Sequence, residues 1–387
     1  MADAPPEDWR ESGFALYVHW PFCASKCPYC DFNSHVVAAI DQRAWLTAYQ
    51  AEIARVAAET GGRMLRSIYF GGGTPSLMDA EVVAGVIEAA RAGWSFANDI
   101  EITLEANPGS VERGRFAAYA DAGVGRLSLG VQALNDADLR RLGRLHSAAE
   151  ARAAFEVARD CFGRVSFDLI YARQGQTRDR WAAELREALA MAVDHLSLYQ
   201  LTIEDGTAFG ARAAAGGLRD LPDDDTAADM YLETQDICEA AGLPAYEVSN
   251  HARPGSEARH NLVYWRQGDW AGIGPGAHGR LTLDGVRWAT EAPRAPGAWL
   301  EAAGRGFGEL PRTAVPAEEQ ATEYLLMSMR LAEGMDLDRH ARLSGRAIDR
   351  LKLDDLAALG LVETDGKRLR ATQAGRPVLN AILRALA

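Results

Sequence analysis

Over the first half of the chain, short β-branched or aromatic runs alternate with longer amphipathic stretches. The runs fall at 14–19, 67–70, 100–105, 126–131, 165–170 and 195–201, and each reads as a strand. The stretches between them, at 43–59, 79–92, 111–122, 136–142, 148–160 and 180–193, space their apolar residues as helices do. Six strand–helix units in a row predict an α/β fold with a parallel sheet, doubly wound or curled toward a barrel. Functional groups in such folds collect at the C-terminal ends of the strands.

Beyond about residue 205 the pattern loosens. Residues 206–222 are rich in small residues and read as loop or short helix, 223–241 as a helix and 244–248 as a short strand. Residues 250–300 are rich in Gly, Trp and Pro and predict mostly irregular chain. From about 317 the periodicity returns: helices at 318–331, 337–343 and 348–359, a hairpin across Asp365-Gly366, and a last helix at 377–386. Helices, hairpin and helix in that order resemble a winged-helix module. Residues 317–387 carry eleven Lys/Arg and eleven Asp/Glu, so no phosphate-binding footprint is expected there. The expected division is an N-terminal tail (1–13), an α/β core (14–205), a covering region (206–316) and a C-terminal unit (317–387).

Composition narrows the setting. The chain has 387 residues and a formal net charge of −13, which disfavours nonspecific contact with nucleic acid or an anionic membrane. Its first residues have no apolar signal core and no apolar run is long enough to span a bilayer, so a cytoplasmic location is expected. Cys161 and Cys238 stand alone in apolar surroundings and read as buried structural thiols.

The other three cysteines carry the chemistry. Cys23, Cys27 and Cys30 lie in the run His19-Trp20-Pro21-Phe22-Cys23-Ala24-Ser25-Lys26-Cys27-Pro28-Tyr29-Cys30-Asp31-Phe32. A [4Fe–4S] cluster normally takes four thiolates, so three leave one iron free to bind a further ligand. A structural zinc site, with His19 or His35 as fourth ligand, is the alternative reading of the spacing. The run Phe70-Gly71-Gly72-Gly73-Thr74-Pro75-Ser76 follows a strand and alone would be a tight turn. Glu105 closes the next strand, where a lone glutamate is ordinarily solvated or paired. Asp168 sits within an apolar strand and needs a partner, a structural ion pair being the plain alternative.

The run from Tyr17 through Cys30 resembles the signature of the radical S-adenosylmethionine (SAM) proteins. That resemblance implies a partial (β/α)6 TIM-like barrel, with a winged-helix-like unit after it. It implies a cluster on Cys23, Cys27 and Cys30 whose open iron is chelated by the amino and carboxylate groups of SAM. One electron from the cluster then cleaves the sulfonium to methionine and a 5′-deoxyadenosyl radical. Carried over residue by residue, the SAM contacts are Tyr17, Tyr29, Gly72, Gly73, Thr74, Glu105, Gln132, Arg144 and Asp168. Tyr199, His146 and His195 read as supporting residues, and Trp45, Trp181 and Trp299 as packing.

The likeness extends to the group around oxygen-independent coproporphyrinogen III oxidase, through Gly-Gly-Gly-Thr-Pro-Ser, Gly130-Val131-Gln132, Asp168-Leu169-Ile170-Tyr171 and Leu198-Tyr199-Gln200-Leu201. The oxidase proper has a fourth cysteine where this chain has Phe32, and a long segment before the cluster where this chain has 22 residues. Positively, His260-Asn261-Leu262-Val263-Tyr264-Trp265 matches the His-Asn-x-x-Tyr-Trp motif of the HemW-type heme chaperones. The resemblance therefore implies a protein that binds heme and passes it to acceptor hemoproteins, with oxidative decarboxylation of a porphyrinogen as the alternative. It implies His260, Asn261, Tyr264 and Trp265 as heme contacts, imidazole being an axial ligand and the rings packing on the macrocycle. His251 and His278 are weaker ligand candidates, and residues 260–279 could instead cover the barrel mouth beside SAM. A flavodoxin or ferredoxin as electron donor, and transient contact with a membrane, complete the implied partners.

Overall fold

The computed structural model describes residues 7–110 and 113–387. Its main unit alternates β1 (Phe14–Trp20), α1 (Gln42–Glu59), β2 (Met64–Gly72), α2 (Ala80–Gly93), β3 (Ser95–Ala106), α3 (Arg113–Asp121), β4 (Arg126–Gln132), α4 (Asp136–Arg141), α5 (Ala148–Cys161), β5 (Arg164–Tyr171), α6 (Arg178–Met191) and β6 (His195–Gln200). These are the six expected strand–helix units, and β1 to β6 pair in parallel in sequence order. Residues 111 and 112, where the third helix was expected to begin, lie outside the described residues.

The sequence explains the elements locally. Strand β1 is buried at six of its seven positions, as a parallel strand covered on both faces must be. Ser147 and Glu150 form a reciprocal capping box that starts α5. Asn135 and Thr177 cap α4 and α6 with their side chains. One apolar core runs under the sheet, from Phe14 and Trp20 through Phe116, Phe155 and Phe167 to Trp181.

Residues 206–316 extend the sheet at both of its edges. They supply α7 (Ala208–Ala214), α8 (Asp224–Ala240), β7 (Asn250–Ala252), α9 (Arg259–Trp265), β8 (Asp269–Ile273), β9 (His278–Leu283), β10 (Val286–Glu291), α10 (Pro296–Gly304) and β11 (Thr313–Ala314). Strand β7 joins the β6 edge antiparallel, and β8 joins β1 in parallel, so both edges of the sheet are extended. The expectation of irregular chain at 250–300 is thus corrected. The glycines there serve close approach of backbones: a Cβ on Gly272 would lie 2.0 Å from the His278 carbonyl oxygen. The expected strand at 244–248 is also displaced, to Asn250–Ala252.

The C-terminal unit comprises α11 (Ala317–Ser328), β12 (Met335–Asp336), α12 (Leu337–Ser344), α13 (Arg350–Ala358), β13 (Val362–Thr364), β14 (Arg368–Ala371) and α14 (Leu379–Leu386). It has its own three-stranded sheet and its own apolar cluster around Leu325, Leu369 and Ile382. At the other end of the chain, the segment from residue 7 packs on the fold. Asp8–Glu11 form a 3-10 turn, Trp9 is buried, and Asp8 pairs with Arg339 of α12. Residues 1–6 lie outside the described residues.

Candidate cluster and cofactor site

The cysteine loop leaves β1 and is pinned at several points. His19 Nε2 lies 2.9 Å from the Asn33 carbonyl oxygen, which only accepts, so that nitrogen carries the hydrogen. Nδ1 then accepts from the Tyr17 hydroxyl at 2.8 Å. Burial lowers the His19 pKa, which keeps this neutral form. Asn33 in turn donates to the Pro275 carbonyl at 2.9 Å. Backbone bonds from Cys23 N to His35 O (2.9 Å) and from His35 N to Pro21 O (2.7 Å) close the loop on itself.

Strand β2 meets this loop through its glycines. Gly73 N donates to Trp20 O at 2.6 Å, and Thr74 N to Phe22 O at 2.8 Å. A Cβ on Gly73 would stand 2.5 Å from the Phe22 carbonyl oxygen, and one on Gly72 would meet the His19 ring at 2.6 Å. Gly72 also holds φ at +109°. The glycines are therefore required by the approach of two backbone segments.

All three cysteines are half-buried and line a cavity of about 890 Å³. Polar side chains reach the thiols: Thr74 Oγ1 donates to Cys23 Sγ at 3.5 Å, and Arg144 Nη1 to Cys27 Sγ at 3.4 Å. Arg144 also donates to the Gly130 carbonyl at 2.8 Å and to Asn107 Oδ1, and Asn107 donates to Thr74 Oγ1 at 2.9 Å. Burial raises the pKa of Cys23 and Cys30 in the free thiol state. Among the described residues no three His, Cys, Asp or Glu side chains gather closely enough to hold a single metal ion. His19, a fourth ligand in the zinc reading, is engaged at both ring nitrogens. The donor set fits a cluster better, because its thiolates bind separate irons.

The strand ends complete the wall. Glu105, Gln132, Asp168 and Tyr29 line the same cavity as Gly72, Gly73, Thr74 and Arg144. Gln132 adopts φ of +70° at a register shift between β4 and β5, a left-handed conformation uncommon for a side chain of this size. Glu105 accepts the Tyr69 hydroxyl. Burial pushes its pKa up to about 7, with the Asp168 charge adding to the effect. Burial also pushes Asp168 up to about 6, opposed by hydrogen bonding to Ser197 and by Arg126 and Arg144. Its expected partner is thus supplied by hydroxyls and distant charge rather than by a direct ion pair.

The structure places several of the expected site residues away from this cavity. Tyr17 does not line the cavity; it stacks on Tyr69 and supports His19. None of His260, Asn261, Tyr264 and Trp265 lines it either. Helix α9 lies near the strand starts, and His260 is only 7% exposed. Its Nδ1 is 3.4 Å from Glu101, which also pairs with Arg126 and Arg164 at the beginnings of β4 and β5. Asn261 donates to the Tyr246 hydroxyl at 3.0 Å, and Tyr264 packs edge-on against His260 and Trp270. The imidazole is therefore not presented as an open axial ligand. His251 is buried as well, and His278 is exposed on β9 away from the cavity. Two contributors escaped the sequence reading: Tyr69, whose position two residues before the glycine run is its only signal, and Asn107, which follows Glu105 by two residues.

Comparison with known proteins settles the family. The Radical SAM superfamily model matches residues 17–188, and the HemN C-terminal domain model matches residues 315–378. Heme chaperone HemW of Escherichia coli is 38% identical over 95% of this chain and 97% of its own. The chain belongs to the HemW family. The Mycobacterium tuberculosis HemW is 39% identical over 96% of this chain and 94% of its own. A mouse relative, radical S-adenosyl methionine domain-containing protein 1, mitochondrial, is 37% identical over 99% of this chain and 89% of its own. The solved structure of E. coli coproporphyrinogen III oxidase (HemN) superposes with a TM-score of 0.80, at 24% identity over 97% of this chain and 90% of that one, and shows the shared fold. Membership of the radical SAM superfamily implies a [4Fe–4S] cluster and SAM. No helix among the described residues is long and apolar enough to cross a membrane.

Proposed function

We propose that this chain is a heme chaperone that binds heme and transfers it to acceptor hemoproteins. The observation that carries the reading is 37–39% identity over 95–96% of the chain to proteins named heme chaperone HemW. In this reading Cys23, Cys27 and Cys30 hold the cluster. Gly72, Gly73 and Thr74 offer backbone and hydroxyl groups to SAM, while Glu105, Gln132, Arg144, Asp168 and Tyr29 line its binding space. When bound, cluster and SAM supply one-electron cleavage of a sulfonium.

The residues of the chain have separate tasks. Arg144 places a guanidinium beside Cys27 and offsets thiolate charge. Glu105, with its raised pKa, can present either a carboxylate or a neutral carboxyl near pH 7. Tyr69 fixes its orientation. A flavodoxin- or ferredoxin-type electron donor and transient membrane contact during delivery belong to the same proposal.

The test is heme titration of cluster-loaded protein followed by mixing with an apo-hemoprotein. Transfer restores the acceptor's heme spectrum; absence of both binding and transfer sinks the reading. Coproporphyrinogen III oxidation is the second reading, favoured by the fold shared with E. coli HemN. Phe32 weighs against it: this residue, 59% exposed, lines the cavity where the oxidase motif has its fourth cysteine. An anaerobic incubation with SAM, reductant and coproporphyrinogen III that yields decarboxylated product would establish oxidase activity instead.

A further inference from the structure

Part of the cavity wall comes from the C-terminal unit. Arg330, just beyond α11, and Arg376, just before α14, both line it, together with Leu379 and Asn380. In a chain of net charge −13 with many ion-paired arginines, neither of these two has a carboxylate partner among the described residues. Asp31, Glu204 and Asp224 line the same cavity and reach neither.

The corner around Arg376 leaves part of its guanidinium unpaired. Arg376 Nη1 is buried with no hydrogen-bond partner. Neighbouring Tyr231 turns its hydroxyl toward Arg376, and nearby His251 is buried. A buried guanidinium N–H left unpaired costs more than an ordinary hydrogen bond contributes, so such a corner suits an anionic ligand with acceptor oxygens. Arg330 is held in place differently. Its guanidinium lies over the Trp265 ring, 5.6 Å from the centroid. Trp265 thus touches the cavity indirectly, as the platform under a cationic lining residue.

We propose that Arg330 and Arg376 form a carboxylate-binding wall that receives the propionate groups of the tetrapyrrole. This rests on the heme reading above and adds to it the orientation of the ligand: propionates toward the C-terminal unit, macrocycle toward the barrel. Guanidinium forks match carboxylates in a bidentate fashion, and a lysine does so less well.

The experiment uses cluster-loaded full-length protein titrated with heme and, separately, with heme dimethyl ester, whose propionates are masked. Wild type is expected to bind heme at least tenfold more tightly than the ester. The double variant Arg330→Gln/Arg376→Gln is expected to lose that preference while its ester affinity stays within twofold, which also shows that it folds. Arg376→Lys is expected to recover part of the preference. Equal affinity of wild type for heme and ester overturns the arginine assignment and leaves the heme reading standing. The same holds for a double variant whose preference is unchanged. Failure of wild type to bind either compound overturns the heme reading and this inference with it.

Discussion

The imidazole of His260 lies on the ring of Tyr69, with centroids 3.9 Å apart, and the Tyr69 hydroxyl is bonded to Glu105. The first residue of the His-Asn-x-x-Tyr-Trp motif is thereby connected to the cofactor cavity through one intervening side chain. Truncation of His260 leaves a void beneath Tyr69 and removes a partner of the buried Glu101. His260→Ala is expected to lower stability by about 2–4 kcal/mol, read from denaturant unfolding. His260→Asn keeps a donor for Glu101 and is expected to recover about half of that loss. Heme titration of the Asn variant then separates two roles: binding restored along with stability assigns His260 to the fold, and binding still lost assigns it to the iron.

Gly73 offers a sharper test of how the cluster loop is built. Its missing Cβ would collide with the backbone of Phe22 at 2.5 Å, where nothing flexible can give way. Gly73→Ala is expected to push the start of the cysteine loop away from β2 and cost roughly 1–3 kcal/mol. The direct readout is iron and sulfide per chain after reconstitution, expected to fall below half of the wild-type value. Gly163→Ala, where a Cβ meets nothing within 4 Å, is expected to match wild type. Equal cluster content in both variants would show that the contact does not position the thiols.

The acids of the cavity predict a pH dependence with a defined sign. Glu105 is pushed from 4.5 up to about 7 and Asp168 from 3.8 up to about 6. A raised carboxyl favours the protonated form in the fold. Its stabilising contribution is full below the unfolded value and is lost as pH rises through the folded one. His146 and His251, both pushed down to about 4 by burial, act in the opposite sense between about 4 and 6.5. The informative quantity is therefore the difference between wild type and Glu105→Gln in cluster-free protein. The Gln variant is expected to gain relative stability from pH 5 to pH 8. A constant difference across that range would show that Glu105 is not desolvated in the folded chain.

The parts of this molecule visible in its sequence are those with local periodicity. Strands β1 to β6 are apolar runs with amphipathic helices between them, and the Asp365-Gly366 turn marks its hairpin unaided. The cysteine spacing and the glycine run point at one another because both follow strands, and the structure joins them by two backbone bonds. What escaped was set by approach in space. Gly272 and Gly279 fall in a stretch that read as irregular chain, yet each sits where another backbone passes too close for a Cβ. His260 read as a heme contact through resemblance, and the helix that carries it packs near the strand starts, where Glu101 gathers the charges of Arg126 and Arg164. Arg330 and Arg376 are 300 or more residues from the cysteines in sequence, and no local pattern marks them as cavity residues.

Arg339 predicts how the ends of the chain hold together. Its guanidinium donates to both Asp8 carboxylate oxygens (2.9 and 2.6 Å), to Ser12 Oγ at 3.1 Å and to the Arg266 carbonyl at 2.7 Å. It is 4% exposed and lies over the Tyr324 ring. One side chain thus joins the N-terminal turn, the segment after α9 and the C-terminal unit. Arg339→Ala strands a half-buried carboxylate and a carbonyl, at a cost of about 2–4 kcal/mol. Arg339→Lys is expected to recover little of this, because an ammonium cannot reproduce the fork. Hydrogen exchange is expected to accelerate at residues 8–13 and in α12, while iron content stays at the wild-type level, since none of these groups lines the cavity. Unchanged exchange at residues 8–13 in Arg339→Ala would mean that the buried Trp9 alone anchors the turn.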